Sequence, residues 1–283
     1  MGNVLVFGLL VAATLIMRKG YWSPVRTGFF CGDMSIHHPI KPESSPSNLL
    51  LVGGIVVTFV MLALTDVLEM KPFTKDSKRE NIKRCLGRSL SSFGLYLFGL
   101  CLSVFLTELG KRFSGVLRPN FLAVCRPNVT CSNEADLFEY HINYECLGDD
   151  SSSRKSFPSG HASFIAYMAV FIFLYQENRP LSKCCVLLKP MIQIVPISIA
   201  WVTGLSRVTD HVHHPSDVLC GFILGGVVGV WACRLTLNRT CYSGEPESSV
   251  PQIEKQMSMK PSQYTSVTET LSNQNNSAEV LVS

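Results

Sequence analysis

Six apolar stretches without a charged residue run along this 283-residue chain, and they constrain its fold more than any other feature. Each stretch approaches the length of about 20 residues that a helix needs to cross a bilayer. Charged residues make up only 16% of the chain. A soluble helical core is the alternative, but six such stretches would leave it too little polar surface. We therefore predict an all-α integral membrane protein with six transmembrane helices. The stretches are Met1–Met17, Ser44–Thr65, Ser89–Thr107, Ala162–Gln176, Pro190–Ser206 and Val218–Cys233.

The first apolar stretch could instead be a signal peptide. It lacks the basic residues that normally precede the apolar part of such a peptide, and Arg18 and Lys19 follow it. We expect it to be an uncleaved first span.

The loop between the second and third spans predicts the orientation, because short basic loops stay in the cytoplasm. It holds seven cations: Lys71, Lys75, Lys78, Arg79, Lys83, Arg84 and Arg88. The segments 113–155 and 207–217 then lie outside, and both termini lie inside. Arg18 and Lys19 fall on the outer side and violate the rule, but the seven-residue loop outweighs them.

The composition changes near residue 237. Residues 1–236 form the predicted membrane domain, and residues 237–283 are rich in Ser, Thr, Asn and Gln, which predicts a disordered cytoplasmic tail whose role the sequence does not indicate. The net charge of +4 comes mainly from the basic inner loop and the candidate site. It gives no reason to expect a nucleic-acid partner.

The outer loops carry residues suited to an oxidising compartment. Of three glycosylation sequons, at Asn128, Asn238 and Asn275, only Asn128 faces outward in this topology and should carry a glycan. Four outer cysteines can form disulfides, but their pairing stays open. They are Cys31, Cys125, Cys131 and Cys146.

Three polar clusters border the apolar stretches and carry the candidate chemistry. They are Lys111–Pro119 (KRFSGVLRP), Pro158–His161 (PSGH) and Ser206–Asp217 (SRVTDHVHHPSD). The predicted topology places all three on the outer face, where they can converge. Lys and Arg bind phosphate oxygens, and a histidine beside a carboxylate can act as a nucleophile or carry a proton. The clusters together indicate a site for a phosphate ester.

The first two clusters contain groups suited to an anion. Lys111 and Arg118 can share a helix end that Pro119 terminates, and Arg207 from the third cluster adds a cation with a bidentate fork. Ser159 and Gly160 open the fourth span, where helix N–H groups favour an anion.

The third cluster contains three histidines, His211, His213 and His214. Asp217 is four residues from His213 and three from His214, and both spacings allow contact on a helical turn. A carboxylate on Nδ1 would hold the tautomer and leave Nε2 free to attack. The spacing leaves both histidines open as nucleophiles.

The patterns K-x6-R-P, P-S-G-H and S-R-x5-H-x3-D, in this order, resemble the type-2 phosphatidate phosphatase superfamily, and the six spans resemble its animal lipid phosphate phosphatase branch. The resemblance covers residues 1–236. It implies that His213 forms a phosphohistidine, that Asp217 orients His213, and that His161 protonates the leaving oxygen. It also implies a phosphate-binding set, with no metal or cofactor. That set is Lys111, Arg118, Arg207, Ser159 and Gly160.

The resemblance implies metal-independent hydrolysis of lipid phosphate monoesters within the bilayer, at the extracellular or lumenal face. Phosphatidate, lysophosphatidate, sphingosine 1-phosphate and ceramide 1-phosphate stay open as the preferred substrate. A non-catalytic relative, a phosphotransferase and a transporter are the competing classes. The intact histidines and arginines disfavour the first, and the uncharged spans disfavour the last.

We expect the protein to lie in the plasma membrane, with the endoplasmic reticulum or another internal membrane as the alternative. Whether the chain forms a homo-oligomer stays open.

Overall fold

The computed structural model describes residues 2–19, 22–69, 78–131, 134, 136–179 and 187–242. The chain divides into two compact units, residues 1–238 and 239–283, and the fold below is that of the first. Its elements in chain order are α1 (Gly2–Arg18), β1 (Phe29–Phe30), α2 (Ser47–Glu69), α3 (Lys78–Ser114), α4 (Phe121–Cys125), β2 (Tyr140–His141), α5 (Asp150–Ser153), α6 (Gly160–Glu177), α7 (Leu188–Thr209) and α8 (Pro215–Tyr242).

Helix α6 forms the centre of the bundle and is buried along most of its length. Its Tyr167 packs 5.3 Å from the ring of Tyr96 on α3 and donates a 2.7 Å hydrogen bond to the Tyr96 carbonyl. Helix α8 approaches α6 closely because Gly221 lacks a side chain. A Cβ at Gly221 would lie 2.6 Å from the Ser159 carbonyl oxygen. Small residues at helix contacts allow this close approach within membranes.

The prediction of a helical membrane protein is confirmed. Four helices in the described part of the chain, α2, α3, α7 and α8, are long and apolar enough to cross a bilayer. Helices α1 and α6 also coincide with predicted spans, but α1 is shorter and α6 has polar residues at both ends, so the count of six stays a prediction. Apolar side chains such as Val52, Val56 and Trp201 face outward from the bundle. Such faces suit contact with lipid.

A small cap lies beside the end of the bundle that carries the polar clusters, and it adds a two-stranded antiparallel sheet that an all-α prediction does not include. Strand β1 pairs with β2, with Phe29 opposite His141. Phe29, Phe121 and Tyr144 form a second apolar core beneath this sheet. The disulfides Cys31–Cys131 and Cys125–Cys146 join its segments, which answers the question of pairing.

Several predictions concern residues outside the described part. Lys71 and Lys75 of the basic loop, Asn275, and residues 243–283 of the tail lie there. The side chain of Asn128 is exposed within the cap and accepts a hydrogen bond from the Glu145 N–H at 2.9 Å. The glycan on Asn128 and the orientation of the chain remain predictions.

Candidate active site

The three polar clusters meet where α3 ends, α6 begins and the turn joins α7 to α8. The Ser159 N–H donates to the carbonyl oxygen of Asp217 at 3.0 Å. His214 Nε2 lies 3.1 Å from the Leu117 carbonyl oxygen, to which it donates. The second and third clusters are therefore bonded together, and the third is bonded to the first.

The helix end predicted around Pro119 is wrong. Helix α3 stops at Ser114, and Gly115 has a φ of +55°, a left-handed conformation that commonly ends a helix and that glycine adopts without strain. Arg118 therefore lies in a loop, where its N–H donates to the Ser153 carbonyl at 2.9 Å. Lys111 remains on the last turns of α3, so the two cations approach the site from different elements.

Ser156 joins the first and third clusters, and sequence reasoning missed it. Its N–H donates to the Val116 carbonyl at 3.1 Å, and its hydroxyl donates to Asp217 Oδ2 at 2.5 Å. Its own carbonyl oxygen lies 2.7 Å from Nδ1 of His213. The residue lies two positions before the PSGH sequence, and no pattern in the sequence marks these three roles.

His213 is 4% exposed, and its hydrogen bonds determine its tautomer. A carbonyl oxygen only accepts, so Nδ1 carries the proton that it donates to Ser156, and Nε2 keeps its lone pair. The carboxylate expected on Nδ1 is therefore displaced by a backbone carbonyl. Asp217 Oδ2 lies 3.9 Å from Nδ1, and it accepts hydrogen bonds from the Ser156 hydroxyl and the His214 N–H. Asp217 thus acts on His213 mainly through its charge and through Ser156.

Burial lowers the pKa of His213 to about 4; the Asp217 carboxylate opposes this shift, and the nearby Arg118 and Lys111 reinforce it. Because the pKa is lowered, the ring is neutral above about pH 4 and is protonated below it. In the purified full-length chain, we expect the ¹⁵N signals of His213, identified by their loss in His213→Gln, to titrate near pH 4. A midpoint near the ordinary histidine value of about 6.5 would contradict this environment.

The cations of the site are only partly paired. Lys111 Nζ lies 3.3 Å from Glu108, and Arg207 is fully buried with one nitrogen 2.8 Å from Asp210 Oδ2. Within the described residues, Arg207 Nη1 and Arg118 Nε are buried with no hydrogen-bond partner. The unused donors can bind the oxygens of an anion.

Gly160 and His161 form the first turn of α6 beside Lys111. A Cβ on Gly160 would lie 3.1 Å from Lys111 Nζ, so glycine leaves this lysine room. His161 Nε2 lies 3.3 Å from the Ser47 hydroxyl. The Ser159 hydroxyl is buried with no partner among the described residues. These groups lie at the start of α6, whereas His213 lies on the turn between α7 and α8.

The structure separates the other histidines from these groups. His211 packs against His38, with ring centroids 4.5 Å apart and ring planes tilted by 40°, and its Nδ1 lies 3.3 Å from the Pro39 carbonyl oxygen. Nε2 of His214 donates a hydrogen bond to the Leu117 carbonyl oxygen. Asp210, which sequence reasoning also missed, binds Arg207 and the Ser44 hydroxyl, the latter at 2.7 Å. Its position three residues after Arg207 is a spacing that allows such a pair.

Comparison with known proteins agrees with the three motifs. The pattern of the PAP2 superfamily matches residues 92–241. Phospholipid phosphatase 2 of Bos taurus is 33% identical over 241 residues, covering 85% of this chain and 82% of its own. Phospholipid phosphatase 1 of Rattus norvegicus is 35% identical over 234 residues, covering 78% and 79%. Phospholipid phosphatase 2 of Homo sapiens is 35% identical over 213 residues, covering 73% and 72%. No solved structure matches the chain. The chain belongs to the PAP2 superfamily.

Proposed function

We propose that this protein is a lipid phosphate phosphatase that hydrolyses phosphate monoesters of membrane lipids through a phosphohistidine on His213. One observation carries the proposal: the bond from Nδ1–H to the Ser156 carbonyl leaves Nε2 of a buried, neutral imidazole unprotonated beside Lys111 and Arg118. A nitrogen lone pair next to two cations is suited to attack a phosphate that those cations bind. The names of the relatives point to the same substrate class.

The first step transfers the phosphoryl group to the protein. Nε2 of His213 attacks phosphorus while the bond from phosphorus to the lipid oxygen breaks on the opposite side. Burial, together with Arg207, His213 and Lys111, lowers the pKa of His161 to about 3 in the protein alone. We propose that the negative charge of the bound phosphate raises this pKa, so that His161 carries the proton that it gives to the leaving alkoxide. The ring of His213 becomes cationic, and Asp217, 3.9 Å from Nδ1, stabilises that charge.

The second step restores the protein. A water molecule attacks the phosphohistidine, and His161 takes a proton from that water as it attacks. The bond from Nε2 to phosphorus breaks, inorganic phosphate leaves, and His213 is neutral again. Throughout, Lys111, Arg118 and Arg207 hold the non-bridging oxygens, with Ser159 and Gly160 at the start of α6.

The proposed chemistry needs no metal ion, because protein cations neutralise the phosphate. Three carboxylates around the site already have close partners, and a fourth, Glu43, lies 4.0 Å from Arg207. Glu108 pairs with Lys111, Asp210 with Arg207, and Asp217 accepts hydrogen bonds from Ser156 and His214. Such engaged carboxylates are poorly suited to form the oxygen cage that Mg²⁺ requires.

We place the site at the extracellular or lumenal face of the membrane, on two grounds. The seven cations between residues 71 and 88, five of which lie on the first turns of α3, predict that the opposite end of the bundle is cytoplasmic. The cap beside the site contains both disulfides, which form in oxidising compartments. The plasma membrane is the expected location, and an internal membrane is the alternative.

A comparison of a long-chain with a water-soluble substrate tests the proposal. Burying one methylene contributes about 0.8 kcal/mol, so four of them are worth about 10²-fold in kcat/KM. We expect the purified protein, with EDTA present, to release phosphate from dioleoyl phosphatidate at least about 10²-fold more efficiently than from glycerol 3-phosphate. Equal values would contradict a lipid substrate. Loss of all activity in EDTA, with recovery on adding Mg²⁺, would contradict the metal-free mechanism.

A further inference from the structure

A cavity of about 130 Å³ opens beside the proposed phosphate site, between α1, α2, α3 and α6. Its polar lining includes Arg18, Ser47, Lys111 and His161, and apolar side chains such as Leu51 and Phe164 form other walls. His213, Arg118 and Arg207 do not line it. The cavity therefore adjoins the side of the site that carries His161.

The cavity lies where the leaving group of the proposed reaction would be. In phosphoryl transfer, the attacking and leaving atoms lie roughly in line on opposite sides of phosphorus. His213 would attack from outside the cavity, and His161, which would protonate the leaving oxygen, lines it. The atoms attached to that oxygen belong to the lipid, so they enter the cavity.

Contacts with the end of α3 hold Arg18 at this cavity. The buried guanidinium of Arg112 donates to the Met17 carbonyl at the end of α1, and a cation there also suits the helix dipole. Trp22 packs edge-on against Phe113, with ring centroids 5.1 Å apart. The chain is thus attached to α3 on both sides of Arg18.

Arg18 also adds a positive charge that its surroundings do not balance. Glu108 is the one carboxylate among the described lining residues, and it lies 3.3 Å from Lys111. Arg18 is moreover on the outer side of the predicted topology, against the preference for basic residues inside. Arg18 is exposed, so its guanidinium is accessible to the oxygens of a ligand in the cavity that it lines.

We propose that the cavity binds the oxygen-bearing glycerol or sphingoid backbone of the substrate, and that Arg18 recognises the ester, hydroxyl or amide oxygens of that backbone. This inference rests on the proposed function and deepens it. The cavity volume of about 130 Å³ is close to the roughly 150 Å³ of a cavity that binds benzene, so the cavity takes a group of about six non-hydrogen atoms, the size of glycerol, but not the lipid chains. The chains leave along the apolar walls toward the bilayer. Arg18 is a specificity-determining residue on this account and contacts no phosphate oxygen.

Three substrates and two variants of the full-length protein in detergent micelles test this assignment. Dioleoyl phosphatidate has chains and backbone oxygens, dodecyl phosphate has a chain alone, and p-nitrophenyl phosphate has neither. A hydrogen bond to a charged group is worth about 10- to 100-fold. We expect Arg18→Gln to lower kcat/KM for phosphatidate by about 10-fold or more, chiefly by raising KM, and to leave the other two substrates within about twofold.

Lys19→Gln is the matched control, because it removes the same charge from the next residue, which does not line the cavity. It should behave as the wild type on all three substrates. Equal losses on all substrates in Arg18→Gln would show that Arg18 acts on the phosphate or on folding, and wild-type values would show no contact; either result overturns the inference. Failure of the wild type to prefer phosphatidate over glycerol 3-phosphate would instead refute the proposed function.

Discussion

Replacing His213 with alanine is expected to abolish turnover and to prevent covalent labelling of the protein by substrate phosphate. The imidazole supplies the bond to phosphorus, and no other group in the described site offers a free nitrogen in the same place. Loss of a nucleophile that works as part of a unit costs more than about 10⁴-fold in kcat. The measurement is phosphate release together with protein-bound ³²P after rapid quenching of a reaction with labelled substrate.

Two other histidines make the test specific. His214→Ala should retain labelling, because Nε2 of His214 donates to the Leu117 carbonyl and is not available for attack. His161→Ala should lose about 10²–10⁴-fold on phosphatidate but should still be labelled by p-nitrophenyl phosphate, whose leaving group needs no acid. If His214→Ala were inactive and unlabelled while His213→Ala was labelled, the nucleophile would be misassigned.

The apolar stretches predicted the positions of the long helices well, but not their lengths. Helix α3 begins at Lys78, well before the predicted span at Ser89, because Lys, Arg and Glu are good helix formers and extend the helix beyond its apolar part. Its end was misjudged for a different reason. Pro119 is the more conspicuous signal in the sequence, but Gly115 precedes it and takes the left-handed conformation that ends the helix.

The contacts that organise the site depend on distant parts of the chain. Ser156 is 57 residues from His213, whose ring it orients, and a cysteine pair such as Cys31 and Cys131 is separated by 100 residues. Periodicity and spacing report only on neighbours within a few helical turns. The motifs therefore predicted which cations and histidines to consider. The fold determined that a backbone carbonyl, not Asp217, accepts the hydrogen bond from Nδ1–H of His213.

Arg207 provides the second large expected effect, because its side chain has two tasks. One nitrogen is bonded to Asp210 at 2.8 Å, whereas Nη1 is buried with no hydrogen-bond partner among the described residues and lies 4.0 Å from Glu43 Oε2. We infer that the first bond aims the guanidinium and that the free nitrogen binds a phosphate oxygen. Arg207→Lys keeps the charge but loses the planar fork, so it cannot do both. We expect kcat/KM for p-nitrophenyl phosphate to fall by about 10²–10³-fold.

A fall in kcat/KM caused by the missing guanidinium must be distinguished from one caused by unfolding. Arg207→Ala would leave Asp210 buried beside a missing partner, which typically costs about 3–5 kcal/mol of stability. Arg207→Lys should therefore be compared with the wild type by thermal unfolding in the same detergent, and Arg234→Lys, an exposed arginine on α8, serves as the control. A folded Arg207→Lys protein with activity within about threefold of the wild type would mean that Arg207 serves only Asp210. A folded but nearly inactive Arg207→Lys protein would show that the guanidinium of the wild type binds the phosphate, because the lysine ammonium retains the charge and differs chiefly in geometry.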